Sequence, residues 1–192
     1  MKKIGLTGGI GSGKSFVAKQ IEAMGYPVYY SDNQAKKISN ENPHVRESLI
    51  SLVGPLVYKN NTLNREYLRA QLFSNEELRG QVNAIVHPAV RADFSSWLKE
   101  QKTSDFIFNE AAILFETGAY KNFDAVILVH APEEVKIDRL IRRDRSSRSE
   151  IKLKMQAQWS DTRKKTLTRY QILNDGKKSI EEQLSEIMAQ LL

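Results

Sequence analysis

Apolar residues in this chain follow two rhythms, and the places where one gives way to the other mark its predicted elements. Residues 3–7 place Ile4 and Leu6 in a short extended run that stops at a cluster of glycines, which predicts a first strand. Residues 16–24 then carry Phe16, Val17, Ile21 and Met24 at helical spacing, and Gly25 suits the end of that helix. A second strand is expected over 27–30, ending at Ser31 and Asp32. A third is expected over 105–109 and a fourth over 125–129, both continuous apolar runs of the kind found in strands covered on both faces. Residues 170–173 make a weaker fifth, closed by Asn174, Asp175 and Gly176. Between strands two and three, the stretch from 33 to 102 reads as mostly helical. Its apolar positions include Leu49, Ile50, Val53, Leu68, Leu72, Val82, Ile85, Val86, Val90, Phe94 and Leu98, and Asn42-Pro43, Gly54-Pro55 and Asn60-Asn61 break it. Pro132 opens a further helix, which runs into the charged interruption 142–148. Another helix is expected from 149 through Trp159, and an amphipathic one from 180 to the C-terminus. Trp97 and Trp159 are both expected on amphipathic helices, packed in the core.

Strands alternating with helices predict a parallel, doubly wound α/β sheet. The helical stretch after strand two is too long for a simple crossover and reads as an insertion that covers a substrate. With 192 residues the chain has the length of one domain. It has no cysteine, which excludes disulfide scaffolds, thiolate metal sites and cysteine nucleophiles. No apolar run approaches the roughly 20 residues of a membrane span. The glycines at 8 and 9 come too early for the apolar region of a signal peptide, so a cytoplasmic location is expected. The net charge of +6 is local: residues 136–169 hold twelve basic and four acidic side chains, leaving the remainder near −2. Such a cluster suits nucleic acid, an anionic surface or a phosphorylated small molecule. It lacks the interleaved aromatics of a single-strand binder, so nucleic acid is not expected; neither a membrane nor an obligate protein partner is expected.

One motif names a chemistry. Gly8, Gly9, Ile10, Gly11, Ser12, Gly13, Lys14 and Ser15 fit G-x-x-x-x-G-K-[ST] between a predicted strand and a predicted helix. Glycines let backbone N–H groups converge on phosphate oxygens, and the helix start adds its positive dipole end. Lys14 is expected on the β- and γ-phosphates of ATP and the Ser15 hydroxyl on Mg²⁺. The base-reading Asn-Lys-x-Asp of GTPases is absent, as is the Ser-Gly-Gly signature of transport ATPases. Small size and the arginine-rich segment after strand four favour a small-molecule kinase. In such an enzyme a mobile lid brings arginines over the transferred phosphoryl group and excludes water. Arg139 and Arg143, one turn apart, are the candidates for that charge. Asp32, at the carboxyl end of strand two, reads either as a base for an acceptor hydroxyl or as a helix N-cap.

In order along the chain, the phosphate loop, Asp32, Asn83-x-x-x-His87-Pro88, Ile113-Leu114-Phe115-Glu116, Arg139 with Arg143, Gln158-Trp159 and Asn174 resemble the pattern of the dephospho-CoA kinase family over nearly its whole length. Tyr30 stands where that family has the first aspartate of Asp-Ala-Asp, Lys136 where it has glutamine, and Arg169 where it usually has aspartate; Glu110 falls at an acidic position before the Phe-Glu segment. The resemblance implies a P-loop NTPase fold of the nucleoside-monophosphate-kinase type, with a parallel five-stranded sheet flanked by helices. Its core would comprise 1–32, 103–144 and 165–192, with a helical substrate-binding insertion at 33–102 and a lid at 145–164. It implies transfer of the γ-phosphoryl group of ATP, with Mg²⁺, to the 3′-hydroxyl of the dephospho-CoA ribose. Asp32 would then act as base, with Lys14, Arg139 and Arg143 as the catalytic cations. ATP would meet Gly8 to Phe16 and Asn174; dephospho-CoA would meet Asp32, His87 and Glu116. His87 reads as structural or substrate-binding, and Glu116 as a substrate contact or a turn cap.

Overall fold

The computed structural model describes residues 1–73 and 75–192, in two compact units: residues 1–30 with 103–192, and residues 31–102. The first unit is built on a five-stranded parallel sheet of β1 (Lys2–Gly8), β2 (Val28–Tyr30), β5 (Phe106–Glu110), β6 (Ala125–His130) and β7 (Tyr170–Leu173), in the order β2-β5-β1-β6-β7. The central β1 pairs with β5 through Lys2↔Phe106 to Leu6↔Glu110 and with β6 through Ile4↔Ala125 to Gly8↔Val129. Tyr30 pairs with Glu110 in the β2–β5 ladder. Every residue of β5 is buried, the signature of a strand covered on both faces.

Helices α1 (Lys14–Ala23) and α9 (Ile180–Leu191) cover one face. Val17, Ala18 and Ile21 of α1 and Leu184, Ile187 and Leu191 of α9 meet Ile4, Leu6, Phe106, Phe108, Ile127 and Ile172 in the main core. Phe115, Val126 and Leu128 form a smaller cluster, with Tyr120, Phe123 and Trp159 against it. Helix α6 (Glu133–Asp144) follows β6, with Pro132 at its N-cap, and ends at Arg145 with φ 52°. The chain continues through α7 (Arg148–Gln156), opened by a Ser147–Glu150 capping box, and α8 (Asp161–Lys165). Ile137, Leu140 and Ile151 join α6 to α7 in a separate apolar cluster with Ile10 and Met155. The helix expected through Trp159 stops three residues short. Ser160 caps α8 through Arg163 N–H, so Trp159 lies in the connection, with the Arg163 guanidinium 3.3 Å from its ring centroid.

The second unit holds α2 (Ser31–Glu41), α3 (Pro43–Val53), α4 (Arg65–Leu72) and α5 (Glu76–Glu100) around Ile38, Val45, Leu49, Val57 and Val82. Asn42, Asn64 and Asn75 cap α3, α4 and α5 by accepting backbone N–H bonds. The Asn60-Asn61 break is the turn of a small hairpin, β3 (Tyr58–Lys59) against β4 (Thr62–Leu63). Both asparagines have positive φ, 49° and 65°, as a two-residue turn matched to strand twist requires. Arg46 holds that turn by donating to the Asn61 carbonyl and its Oδ1, both at 3.0 Å.

Candidate active site

The carboxyl ends of β1, β5 and β6 frame the phosphate loop. β1 ends at Gly8, and the chain turns through Gly11 (φ 79°) and Gly13 (φ 87°) into α1 at Lys14. Those torsions favour glycine. Contact closes the positions as well. A Cβ on Gly13 would lie 2.0 Å from Asn174 Nδ2, and one on Gly8 2.4 Å from the Val129 carbonyl oxygen. No side chain caps α1, so its first N–H groups and its dipole face the loop, an arrangement that suits an anion.

Glu110, 3% exposed, closes the floor of this loop. Its Oε1 pairs with Lys14 Nζ and accepts from Ser15 Oγ at 3.2 Å. An acidic residue closing β5, after Phe106, Ile107, Phe108 and Asn109, is the sequence signal that marks it. On the other side, Asn174 donates to the Ser12 carbonyl at 2.9 Å, and its Oδ1 accepts from Arg139 at 3.1 Å. Arg139, Asn174, Gly13 and Phe16 line a cleft of about 620 Å³ together with Gly176 and Ile180. Four of the expected residues, Lys14, Ser15, Arg139 and Asn174, are therefore brought to one loop. Arg143 is placed differently: its guanidinium is exposed and held by Asp144 at 2.7 and 3.0 Å, which raises its pKa above the usual arginine value.

Residues 158–164 lie on the loop's opening side. Gln158 Oε1 accepts the Ile10 N–H at 2.8 Å, and Asp161 pairs with Lys136 at 2.6 Å beside Gly9. Trp159 N–H donates to Glu116 Oε1 at 3.1 Å, and Lys164, fully buried, pairs with the same oxygen at 2.7 Å. Glu116 thus ties the connection between α7 and α8 to the segment after β5. Gly9, Ile10, Lys136, Trp159, Asp161 and His130 line a second cleft of about 710 Å³. Burial holds the His130 pKa below its ordinary value; Lys165 adds to this and Asp161 opposes it.

Tyr30 continues the face of β2 that looks onto α1, donating to Glu22 Oε2 at 2.8 Å; burial, and then this bond, push its phenol above the ordinary tyrosine pKa. In the second unit, Asp32 is in the first turn of α2, which begins at Ser31, and is not its N-cap. His87 is half-buried on α5 next to Pro88, and burial, with Arg91, lowers its pKa. Among the described residues, no cluster of three or more histidine or acidic side chains is arranged to hold a metal ion, and no helix is long and apolar enough to cross a membrane.

A family model described as dephospho-CoA kinase matches residues 2–180. A dephospho-CoA kinase from Bacteroides fragilis is 40% identical over 187 residues, covering 97% of this chain and 91% of that protein. Among solved structures, TT1252 from Thermus thermophilus has a TM-score of 0.89 at 31% identity, over 100% of this chain and 98% of that one. Dephospho-CoA kinase from Campylobacter jejuni has a TM-score of 0.67 at 25% identity, over 98% and 96%.

Proposed function

The chain belongs to the dephospho-CoA kinase family, and from that premise we propose how its own residues carry the γ-phosphoryl group of ATP to the 3′-hydroxyl of the dephospho-CoA ribose, the final step of coenzyme A synthesis. The observation that carries the reading is the phosphate loop with Lys14, Ser15, Arg139 and Asn174 gathered on it. Backbone N–H groups at the start of α1 receive the phosphates of ATP, and Lys14 and Arg139 meet the charge spread over the transferring group. Phe16, Gly176 and Ile180, in the cleft with Arg139 and Asn174, receive the adenosine end.

An alcohol is a weak nucleophile, so a carboxylate is needed at its proton. Asp32 takes that role: its oxygen accepts the hydroxyl proton as the ribose oxygen bonds to the γ-phosphorus and ADP departs. His87 and Glu116 are proposed to contact dephospho-CoA, and residues 145–164 to act as the lid that keeps water from taking the phosphoryl group. Arg143 reaches the phosphoryl oxygens only by releasing Asp144. Mg²⁺ is proposed as the metal, and the donors suit it: the Ser15 hydroxyl and the carboxylate 3.2 Å from it are hard oxygens beside the triphosphate position. When bound there it neutralises charge on the β- and γ-phosphoryl oxygens.

Incubation of the purified protein with ATP, Mg²⁺ and a panel of dephospho-CoA, AMP, gluconate and shikimate tests the reading, with ADP release and product mass followed together. Coenzyme A formed from dephospho-CoA alone is expected. Transfer to another acceptor instead would discard the assignment of substrate.

A further inference from the structure

Two opposite charges, Lys136 and Asp161, sit in the wall of the 710 Å³ cleft, and the mechanism above gives neither a task. Lys136 is on α6, four residues after Pro132, and its turn of the helix abuts the phosphate loop: a Cβ on Gly11 would lie 2.9 Å from the Lys136 carbonyl oxygen. Ile137 and Leu140 fix that turn by packing with Ile10. Arg139, three residues on and so on the same face of the helix, donates to the Ser12 carbonyl and to Asn174. The edge of α6 that faces the loop therefore carries two cations. Arg139 stands at the Gly13 end of the loop and Lys136 at the Gly9 end.

Lys136 Nζ pairs with Asp161 Oδ2 at 2.6 Å, and the two side chains are only 9% and 17% exposed. The other carboxylate oxygen faces the loop: a Cβ on Gly9 would lie 3.2 Å from Asp161 Oδ1. The ammonium is thus one carboxylate away from the loop backbone. Position 136 is also where this chain departs from the family it resembles, which has glutamine there; a glutamine could not balance a carboxylate. The direction in which a nucleotide lies decides what the pair does. Phe16, Arg139 and Asn174 line the adenosine cleft at the Gly13 end, so the phosphates run along the loop toward Gly9 and the terminal one arrives beside Asp161. Two anions there repel each other, and the ammonium attracts both.

We propose that Lys136 is a further cation for the γ-phosphoryl group, held by Asp161 until ATP arrives and returned to it when ADP remains. The terminal phosphoryl oxygens of ATP take the place of Asp161 Oδ2 on the ammonium. Transfer carries those oxygens to the acceptor, and Asp161 pairs with Lys136 again. The exchange distinguishes ATP from ADP by the one group in which they differ. This rests on the kinase reading given above. The two members of the pair then have effects of opposite sign. Loss of Lys136 takes a cation from the terminal phosphoryl group and leaves the Asp161 charge uncompensated beside it. Loss of the Asp161 charge frees the ammonium for the nucleotide. A pair that only tied α8 to α6 would respond in the same way to the loss of either member.

The test compares full-length wild type with Lys136→Gln, Asp161→Asn and the double variant. Calorimetry measures the affinity for ATP and for ADP, each with Mg²⁺, and thermal melts report folding. Lys136→Gln is expected to bind ATP about tenfold or more weakly, with ADP changed much less. Asp161→Asn is expected to bind ATP about threefold or more tightly, again with little change for ADP. The double variant should fall between the two. Two outcomes overturn the proposal: Lys136→Gln weakening ATP and ADP equally, or Asp161→Asn weakening ATP as Lys136→Gln does. If Lys136→Gln does not fold, Asp161→Asn decides alone: a rise in the ratio of ATP to ADP affinity supports the exchange, and an unchanged or lower ratio overturns it. The calorimetry is independent of the acceptor, so a wild-type protein that binds ATP but makes no coenzyme A would overturn the kinase reading and leave the Lys136 result standing.

Discussion

Asp32 and Glu116 are both acidic, both were expected at the substrate, and the structure gives them different neighbours. Asp32 lies in the first turn of α2, where a carboxylate also favours the helix dipole. If it is the base, Asp32→Asn removes the proton acceptor and keeps the shape. Turnover should then fall about 10²- to 10⁴-fold while ATP affinity holds, measured by kcat and by calorimetry. A stability change without a fall in kcat would reduce Asp32 to a helix residue. Glu116 carries a different load, because Lys164 is fully buried and has Glu116 as its counter-charge. Removing one partner of a buried ion pair strands the other, so Glu116→Ala should lower unfolding stability by about 3 kcal/mol or more. Denaturant titration measures that. A rise in the KM for dephospho-CoA with an unchanged melt would instead assign Glu116 to the substrate. The pairings Lys136–Asp161 and Lys164–Glu116 were not legible in the chain. An ion pair between residues 25 apart, as for Lys136 and Asp161, leaves no local pattern of spacing.

Among the elements, what was legible follows from length. Among the strands of the main sheet, β5 and β6 announce themselves by apolar runs, β1 by Ile4 and Leu6 before the glycines, and β2, with three residues, by Val28, Tyr29 and Tyr30 after Pro27; β7 is the weaker fifth. The two-residue strands β3 and β4 are too short for any periodicity, and their turn looks in sequence like a simple break in a helix. Trp159 misled for another reason. Its apolar ring fits a helical stripe, but Gln158, Trp159 and Ser160 are each committed to a contact or cap that a continuing helix would forbid. At the join of α6 to the 145–164 segment, Arg145 adopts φ 52° as a C-cap. A left-handed conformation disfavours a residue with a Cβ by about 1 kcal/mol or more, which glycine avoids. Arg145→Gly should therefore raise stability by up to about 1 kcal/mol, read as an increase in Tm. No gain would show that contacts of the arginine itself compensate the torsion.

For the whole molecule, the phosphate loop and the alternation of strands and helices made the α/β class readable, because both are local signals. The order of strands in the sheet and the second unit's own core depend on pairings far apart in the chain and needed coordinates. Stability as a function of pH belongs to this scale too. His87 and His130 both titrate below their ordinary value of 6.5 when folded, chiefly through burial. The unfolded chain therefore binds more protons than the folded one as pH falls through the histidine range, so stability is full above about pH 7 and declines below it. Melts at pH 7.5 and 5.5 should show a lower Tm at the acid end, and His87→Gln should narrow the gap. The strand order also has a consequence in time. β1 is made first, yet both of its neighbours, β5 and β6, lie beyond residue 105. At about 5–20 residues per second, a ribosome takes on the order of ten seconds to supply them. Through that interval the strand that will carry the phosphate loop waits without a ladder, while residues 31–102 emerge as one contiguous piece with an apolar cluster of its own. Synthesis thus delivers the helical unit before the sheet can close, and nucleotide chemistry begins only when the last third of the chain has been made.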